Sequence, residues 1–211
     1  NITVTEGGLL TNNGTLSGTL DTQLLAEGDI ATQAEADDML KLTITGGQVQ
    51  NYGTFNGDIL VEGGILELAA GQVNGAITLD DGAIKVISNS SITSLDVSGG
   101  TITFEEGAVL TLTGATTVDL SNATVFVNVS ADFLAGLEIG ETVTLFDSDT
   151  STIEFNNTLV TFVNGGDTVQ TLVSGSQTGG SIKVEAVVPE PTTATLSLLA
   201  LAALAARRRR R

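Results

Sequence analysis

The sequence predicts an all-β protein: a parallel β-helix, or β-solenoid, with coils of about 18 residues, a β-rich C-terminal cap and a short C-terminal hydrophobic helix. Three observations lead there. The first is an internal repeat, sought before anything else because a missed repeat miscalls the fold. Val61-Glu-Gly-Gly-Ile-Leu-Glu-Leu-Ala-Ala-Gly-Gln-Val73 and Val97-Ser-Gly-Gly-Thr-Ile-Thr-Phe-Glu-Glu-Gly-Ala-Val109 share Val, Gly-Gly, two alternating apolar positions, Gly and Val. Halfway between them, Leu79-Asp-Asp-Gly-Ala-Ile-Lys-Val86 fits at half the offset. The second is a different element at the same period: Gly53-Thr-Phe-Asn-Gly57 recurs as Gly71-Gln-Val-Asn-Gly75, with an earlier counterpart in Gly14-Thr-Leu-Ser-Gly18. The third is composition. The chain holds 25 glycines, no tryptophan and only 2 prolines, both near the C-terminus, and is otherwise dominated by aliphatic residues, Thr and Asn. Such a mixture favours short strands broken by tight turns.

Taken along the chain, residues 1–130 read as solenoid repeats. Alternating pairs such as Leu66/Leu68, Ile84/Val86 and Ile102/Phe104 place every second side chain on one interior face. No single coil can bury that face, so neighbouring coils must stack at about 4.8 Å, with Leu66, Ile84 and Ile102 on one ladder. The glycine pairs at 63–64 and 99–100 permit positive φ at a corner, and Asn and Thr at corners can form ladders of side-chain hydrogen bonds. Asp21 to Asp38 carries Ala31, Ala34 and Ala36 among acids and predicts a short surface helix or a bulged-out coil. Leu40, Leu42 and Ile44 then resume strand alternation. Beyond Leu112 the period drifts, although Val118-Asp-Leu-Ser-Asn-Ala-Thr-Val125 matches Leu95-Asp-Val-Ser-Gly-Gly-Thr-Ile102. Residues 131–187 read as a β-rich cap covering the last open edge, with a small separate β-sandwich as the alternative.

The last segment, residues 188–211, is "VPEPTTATLSLLALAALAARRRRR". Ala194–Ala206 is uncharged, and at about 1.5 Å per residue it spans about 20 Å as a helix, short of a bilayer's roughly 30 Å core. It is apolar on every side, unlike a helix packed on a protein core. Arg207, Arg208, Arg209, Arg210 and Arg211 follow. Such a block resists crossing a membrane and stays cytoplasmic, which places everything before Pro189 outside the cytoplasm. With an export tail at one end and Asn1, neither methionine nor signal peptide, at the other, the chain predicts further residues upstream.

Charge narrows the function classes. Of 25 acidic residues only Glu190 lies in the tail, whereas Lys41, Lys85 and Lys183 are the only bases before it, a net charge near −21. Such a surface repels nucleic acid and anionic lipid. Cysteine and histidine are absent, which removes disulfides, thiolate sites, the common zinc ligand and every Ser-His-Asp triad. No cofactor site is indicated. Asp147-Ser-Asp-Thr-Ser begins like a calcium loop, but Thr152 and Thr158 stand where glycine and glutamate are needed. The acidic doublets Asp37-Asp38, Asp80-Asp81 and Glu105-Glu106 are the candidates for acid–base work on polysaccharide. Adjacent strand residues face opposite ways, so none is a facing pair by itself, and solvated turns are the plainer reading. With Tyr52 the only polar aromatic, a sugar-stacking platform is not indicated, and phenylalanines such as Phe104 read as core. The sequons at Asn89, Asn122, Asn128 and Asn156 are what an Asn/Thr-rich chain contains by chance.

Two resemblances add to this. Pro189-Glu190-Pro191, small polar residues, a short apolar run and terminal arginines, in that order, resemble the PEP-CTERM sorting signal. That resemblance implies an exosortase-type sorting protease as partner, transient residence in the inner membrane of a Gram-negative bacterium, and delivery to the cell surface or extracellular matrix. The repeats Gly-Gly-x-apolar-x-apolar and Gly-x-apolar-x-Gly over roughly residues 40–110, with Gly140 to Asp149, are similar to autotransporter-associated β-strand repeats. The expected function is a non-enzymatic surface or matrix protein with structural or adhesive work, touching extracellular polysaccharide or other surface proteins. The alternative is a β-helical polysaccharide lyase or glycoside hydrolase using Asp80, Asp81 and Glu105, with Lys85 beside them.

Overall fold

The computed structural model describes residues 1–17, 22–23, 40–136 and 142–185. In chain order its strands are β1 (Ile2–Val4), β2 (Leu9–Asn12), β3 (Thr15–Ser17), β4 (Thr22–Gln23), β5 (Leu40–Ile44), β6 (Gln48–Asn51), β7 (Thr54–Val61), β8 (Ile65–Leu68), β9 (Gln72–Leu79) and β10 (Ala83–Val86). They continue as β11 (Ser90–Val97), β12 (Thr101–Glu105), β13 (Leu110–Leu112), β14 (Thr117–Asp119), β15 (Thr124–Asn128), β16 (Thr142–Glu154), β17 (Thr158–Asn164), β18 (Asp167–Val173) and β19 (Ser176–Glu185). Among the described residues the one helix is α1 (Ala131–Gly136). Ser130 caps it, its Oγ accepting the Phe133 N–H at 3.2 Å, and Asp132 lies in its first turn, the residue types a helix N-terminus prefers.

The strands form two parallel-rich sheets. One runs β14-β16-β13-β11-β9-β7-β5-β1-β4, with β3 beside β7 and β19 beside β16; the other runs β18-β17-β15-β12-β10-β8-β6-β2. From β5 to β13 the chain alternates between the sheets, and each strand lies parallel on the one a full pass earlier. Leu66, Ile84 and Ile102 are register partners, as the repeat predicts. The ladder extends to Val49 and Leu10 on one side and to Val125 and Val160 on the other. All seven are essentially excluded from solvent. Opposite them in the other sheet run Ile2, Leu42, Ile59, Ile77 and Leu95, also buried. At about 1.5–3 kcal/mol for each large apolar side chain removed from water, these inward rows are the main favourable contribution. Phe104 and Phe146 meet edge to face across the core, centroids 5.2 Å apart.

Side-chain ladders run with the apolar ones. Asn12 Nδ2 donates to Asn51 Oδ1 at 2.7 Å inside the core, and Asn74 Nδ2 donates to Asn56 Oδ1 at 2.7 Å on the surface. At the corner leading into the second sheet, Gly47, Gly64, Gly82 and Gly100 stack, all with positive φ. A Cβ on Gly64, Gly82 or Gly100 would lie within 2.6–2.8 Å of the carbonyl oxygen of the glycine one pass earlier. Glycine is demanded there twice, by conformation and by close approach.

Two departures from regular repetition matter. Thr15–Ser17 pairs with Thr54–Asn56, and Leu40–Ile44 pairs with Gly57–Val61. The consecutive residues Asn56 and Gly57 therefore face Ser17 and Leu40, and residues 18–39 interrupt one strand of the stack without displacing its register. The helix or bulge expected between Asp21 and Asp38 falls outside the described residues except at Thr22–Gln23, which lies on β1 as a short parallel strand. Further on, parallel pairing does not stop at residue 130, where the sequence placed the start of the cap. β16 lies parallel on β13 and β14, and β17 on β15, so these strands extend the two sheets instead of forming a separate sandwich. The antiparallel strands are β18, on β17, and β19, on β16.

Candidate functional site

The stack brings the acidic candidates to its corners and keeps them apart. Asp80 and Asp81 sit exposed between β9 and β10, ahead of the strands of the second sheet. Asp80 Oδ1 accepts the Ser98 hydroxyl at 2.7 Å, and Asp81 Oδ1 accepts the Gly82 N–H at 2.8 Å. Glu105 ends β12 on the far side of the same sheet. Thr101 to Glu105 alone covers about 13 Å at 3.3 Å per residue, beyond the roughly 5–9.5 Å that separates working carboxylate pairs. Glu105 Oε1 accepts the Asn128 amide at 2.8 Å, and Glu106 Oε2 accepts the Ser130 N–H at 2.6 Å. These contacts tie turns together. Asp37 and Asp38 lie outside the described residues.

Lys85 is the basic residue at the centre of the sheet, and it is turned toward Glu67, Nζ to Oε1 at 3.6 Å. Gln50 Nε2 donates to the other Glu67 oxygen at 2.8 Å. The row Gln50–Glu67–Lys85 is a surface ladder across register partners, with an ion pair of a kind that contributes about 0–1 kcal/mol. Asp147 lies in β16, paired across to Thr111 and Ser181, while Asp149 falls in the irregular stretch of the same strand between Ser148 and Thr152. Among the described residues no group of three or more carboxylates is placed to hold a metal ion. The Asp119 carboxyl is held below its ordinary value, first by the Ser121 N–H and then by the Asn156 amide, at 2.9 and 3.1 Å. Both contacts fasten a turn.

A shallow open groove follows the second sheet at its outgoing corner, between Ala70, Ile87, Asn89 and Glu106. Two of its polar groups hold neighbouring backbone: Asn89 Oδ1 accepts the Val109 N–H at 3.0 Å, and Glu106 Oε2 accepts the Ser130 N–H at 2.6 Å. Tyr52 is half exposed, while Phe55, Phe104, Phe146, Phe155 and Phe162 are buried in the core.

Pro189, Glu190 and Pro191, the apolar stretch and Arg207–Arg211 lie outside the described residues, as does the hydrophobic helix expected there. Among the described residues no helix is long and apolar enough to cross a membrane. β19 remains paired through Glu185, opposite Thr142, and Pro189 follows four residues later. Gly180-Ser-Ile-Lys-Val184 reads as a strand from its sequence alternation, and the structure extends that strand to Ser176–Glu185.

No curated protein and no solved structure matches the chain. The likeness of the repeats to autotransporter-associated strands therefore has only the sequence pattern behind it. One family model matches, that of the PEP-CTERM protein-sorting motif, over residues 187–211. With Pro189-Glu190-Pro191, the apolar run and the arginines all inside that span, the chain carries a PEP-CTERM sorting motif, the mark of an exported protein that an exosortase processes.

Proposed function

We propose that the chain is a non-enzymatic protein of the cell surface or extracellular matrix in a Gram-negative bacterium, a β-solenoid serving as stalk or adhesion scaffold. The observation that carries this reading is the sorting motif joined directly to an all-β stack. The seven spacings between the eight strands of the second sheet, at about 4.8 Å each, supply about 34 Å of rigid reach. The acidic, cysteine-free surface suits solubility outside the cell. Extracellular polysaccharide and other surface proteins are the expected contacts, and similarity to autotransporter-associated repeats agrees with that setting. The lyase or hydrolase alternative draws no support from Asp80, Asp81 and Glu105, which stand at opposite ends of the strands and are engaged in turn and strand-to-strand contacts.

The test is mass spectrometry of the protein recovered from the native cell surface. A mature species lacking Arg207–Arg211 is expected. One that retains the arginines would leave a permanent membrane anchor and overturn the sorting part of the reading. Polysaccharide cleavage that Asp81→Asn abolishes would overturn the non-enzymatic part.

A further inference from the structure

We propose that Asn164-Gly165, at the tip of the β17–β18 hairpin, is a self-modification site, where the folded protein loses the Asn164 side-chain amide to water and gains aspartate and isoaspartate. The chain holds four Asn-Gly pairs: Asn13-Gly14, Asn56-Gly57, Asn74-Gly75 and Asn164-Gly165. Asn-Gly is the dipeptide most open to this reaction, because glycine brings no side chain to hinder its own backbone nitrogen and leaves the backbone free to turn. That nitrogen gives up its proton to solvent and attacks Cγ of the preceding asparagine. The N–Cγ bond forms, the Cγ–Nδ2 bond breaks, and ammonia departs to leave a succinimide ring. Water then opens the ring. Cleavage of N–Cγ gives aspartate, and cleavage between the nitrogen and the backbone carbonyl carbon gives isoaspartate, whose main chain is longer by Cβ. Nothing is oxidised or reduced, and water is the co-reactant.

The stack protects the other three pairs. Asn56 and Asn74 lie within β7 and β9, each strand flanked on both sides. Their amides form a row, Asn74 Nδ2 donating to Asn56 Oδ1 and Gln72 Nε2 donating to Asn74 Oδ1, both at 2.7 Å. Behind them the backbones of successive passes touch: a Cβ on Gly57 would fall 1.9 Å from the Leu40 carbonyl oxygen, and one on Gly75 1.9 Å from that of Gly57. Asn13 is exposed, but Gly14 is held from two sides. Its N–H, the attacking group, donates to Asn12 Oδ1 at 3.2 Å, and its carbonyl accepts the Thr54 N–H at 2.8 Å. Asn12 is itself fixed in the core by Asn51. Asn164 is under no such restraint. Among the described residues nothing bonds its side-chain amide or the Gly165 N–H. Gly165 is exposed with φ +58, while Gly166 does not take positive φ, as in a type II′ turn with glycine first. Asn164 and Asp167 are the last pair of the hairpin. Ring closure there opens a terminal pair, where local opening takes the least free energy, whereas at Asn56 or Asn74 it must open the interior of a sheet.

The test is a rate at each asparagine, folded and unfolded. The full chain is incubated at mildly alkaline pH, quenched in acid, digested with pepsin and mapped by mass spectrometry. Exchange of NH2 for OH gives the mass gain, and isoaspartate separates as a second peptide of the same mass. A parallel sample in urea gives the rate that each Asn-Gly pair has without the fold. In the folded chain Asn164 is expected to react at least ten-fold faster than Asn13, Asn56 or Asn74, and in urea to fall within about three-fold of them. Asn164→Gln, which must close a larger ring, removes the signal at the hairpin and leaves the other three rates unchanged. Folding that slows Asn164 as much as it slows Asn56 and Asn74 would overturn the site. Asn13 reacting as fast as Asn164 in the folded chain would overturn it as well, since the Asn12 and Thr54 contacts would then protect nothing.

Discussion

Gly14 and Gly53 occupy equivalent positions in successive passes, each opening a Gly-Thr-apolar segment, yet the structure predicts opposite responses to alanine. At Gly53 an added Cβ would lie 2.0 Å from the Gly14 carbonyl oxygen and 2.8 Å from its nitrogen, both backbone atoms. Relief needs a shift of more than about 1 Å between strands that bonds on either side hold in place. Thr54 N donates to Gly14 O and Gln72 N donates to Gly53 O, each at 2.8 Å. Overpacking of this kind costs about 1–3 kcal/mol, and a strained or lost backbone bond on each side adds about 0.5–1.5 kcal/mol apiece. Gly53→Ala should therefore destabilise by about 2–6 kcal/mol. At Gly14 an added Cβ meets nothing within 4 Å, and the lost flexibility of the unfolded chain favours alanine by about 0.4–1 kcal/mol. Urea unfolding followed by far-ultraviolet circular dichroism is the assay, since the chain has no tryptophan. Equal midpoints for the two variants, or a larger loss at Gly14, would refute the stacking of one pass directly on the next.

Three further expectations follow from the same contacts. Ile84→Ala, between Leu66 and Ile102 in the core, should lower stability by about 2–5 kcal/mol, while Lys85→Ala one residue on, breaking the surface ion pair, stays within about 1 kcal/mol; equal losses in urea melts would contradict the assigned faces. Deleting residues 18–39 with Leu40→Gly, the residue found at Gly57 and Gly75, joins Ser17 to the strand at the position facing Gly57; the β-type dichroism and cooperative melt should survive, and a chain unfolded at room temperature would show the register to be wrong. Asp119 has a folded pKa below its ordinary 3.8, so its contribution is fully present above that value and is lost as pH falls through the lowered one. Asp119→Asn should therefore reduce stability at neutral pH and flatten the acid-side decline below about pH 4, and an unchanged acid limb would count against the Ser121 and Asn156 contacts.

The repeat was legible from Gly47 to Val109 because each pass there returns after 17 or 18 residues to the same register in the second sheet, as Val49, Leu66, Ile84 and Ile102 show. Within such a run local alternation decides which side chains face inward, and stacking follows from it. Beyond Phe104 the passes lengthen: Ile102 pairs with Val125, and Val125 with Val160. The intervening α1 and half of the long strand β16 conceal the register from a fixed-period comparison. Asn51 is a similar case. Its position in the ladder is taken by Leu68 and Val86 in later passes, and the Asn12 amide one pass earlier together with the Gln72 carbonyl lets an amide stay buried there.

By itself, then, the sequence determined the all-β class, the inward rows of the central passes, the glycine corners and the sorting motif at residues 187–211, since each depends on residues close together in the chain. Tertiary structure alone decided that Ser17 and Leu40 face the consecutive residues Asn56 and Gly57, that β16 and β17 continue the sheets, and that Asp80, Asp81 and Glu105 stand apart. Those outcomes depend on which distant strand supplies the unpaired hydrogen bonds of each edge, and that partner is chosen by the stack as a whole.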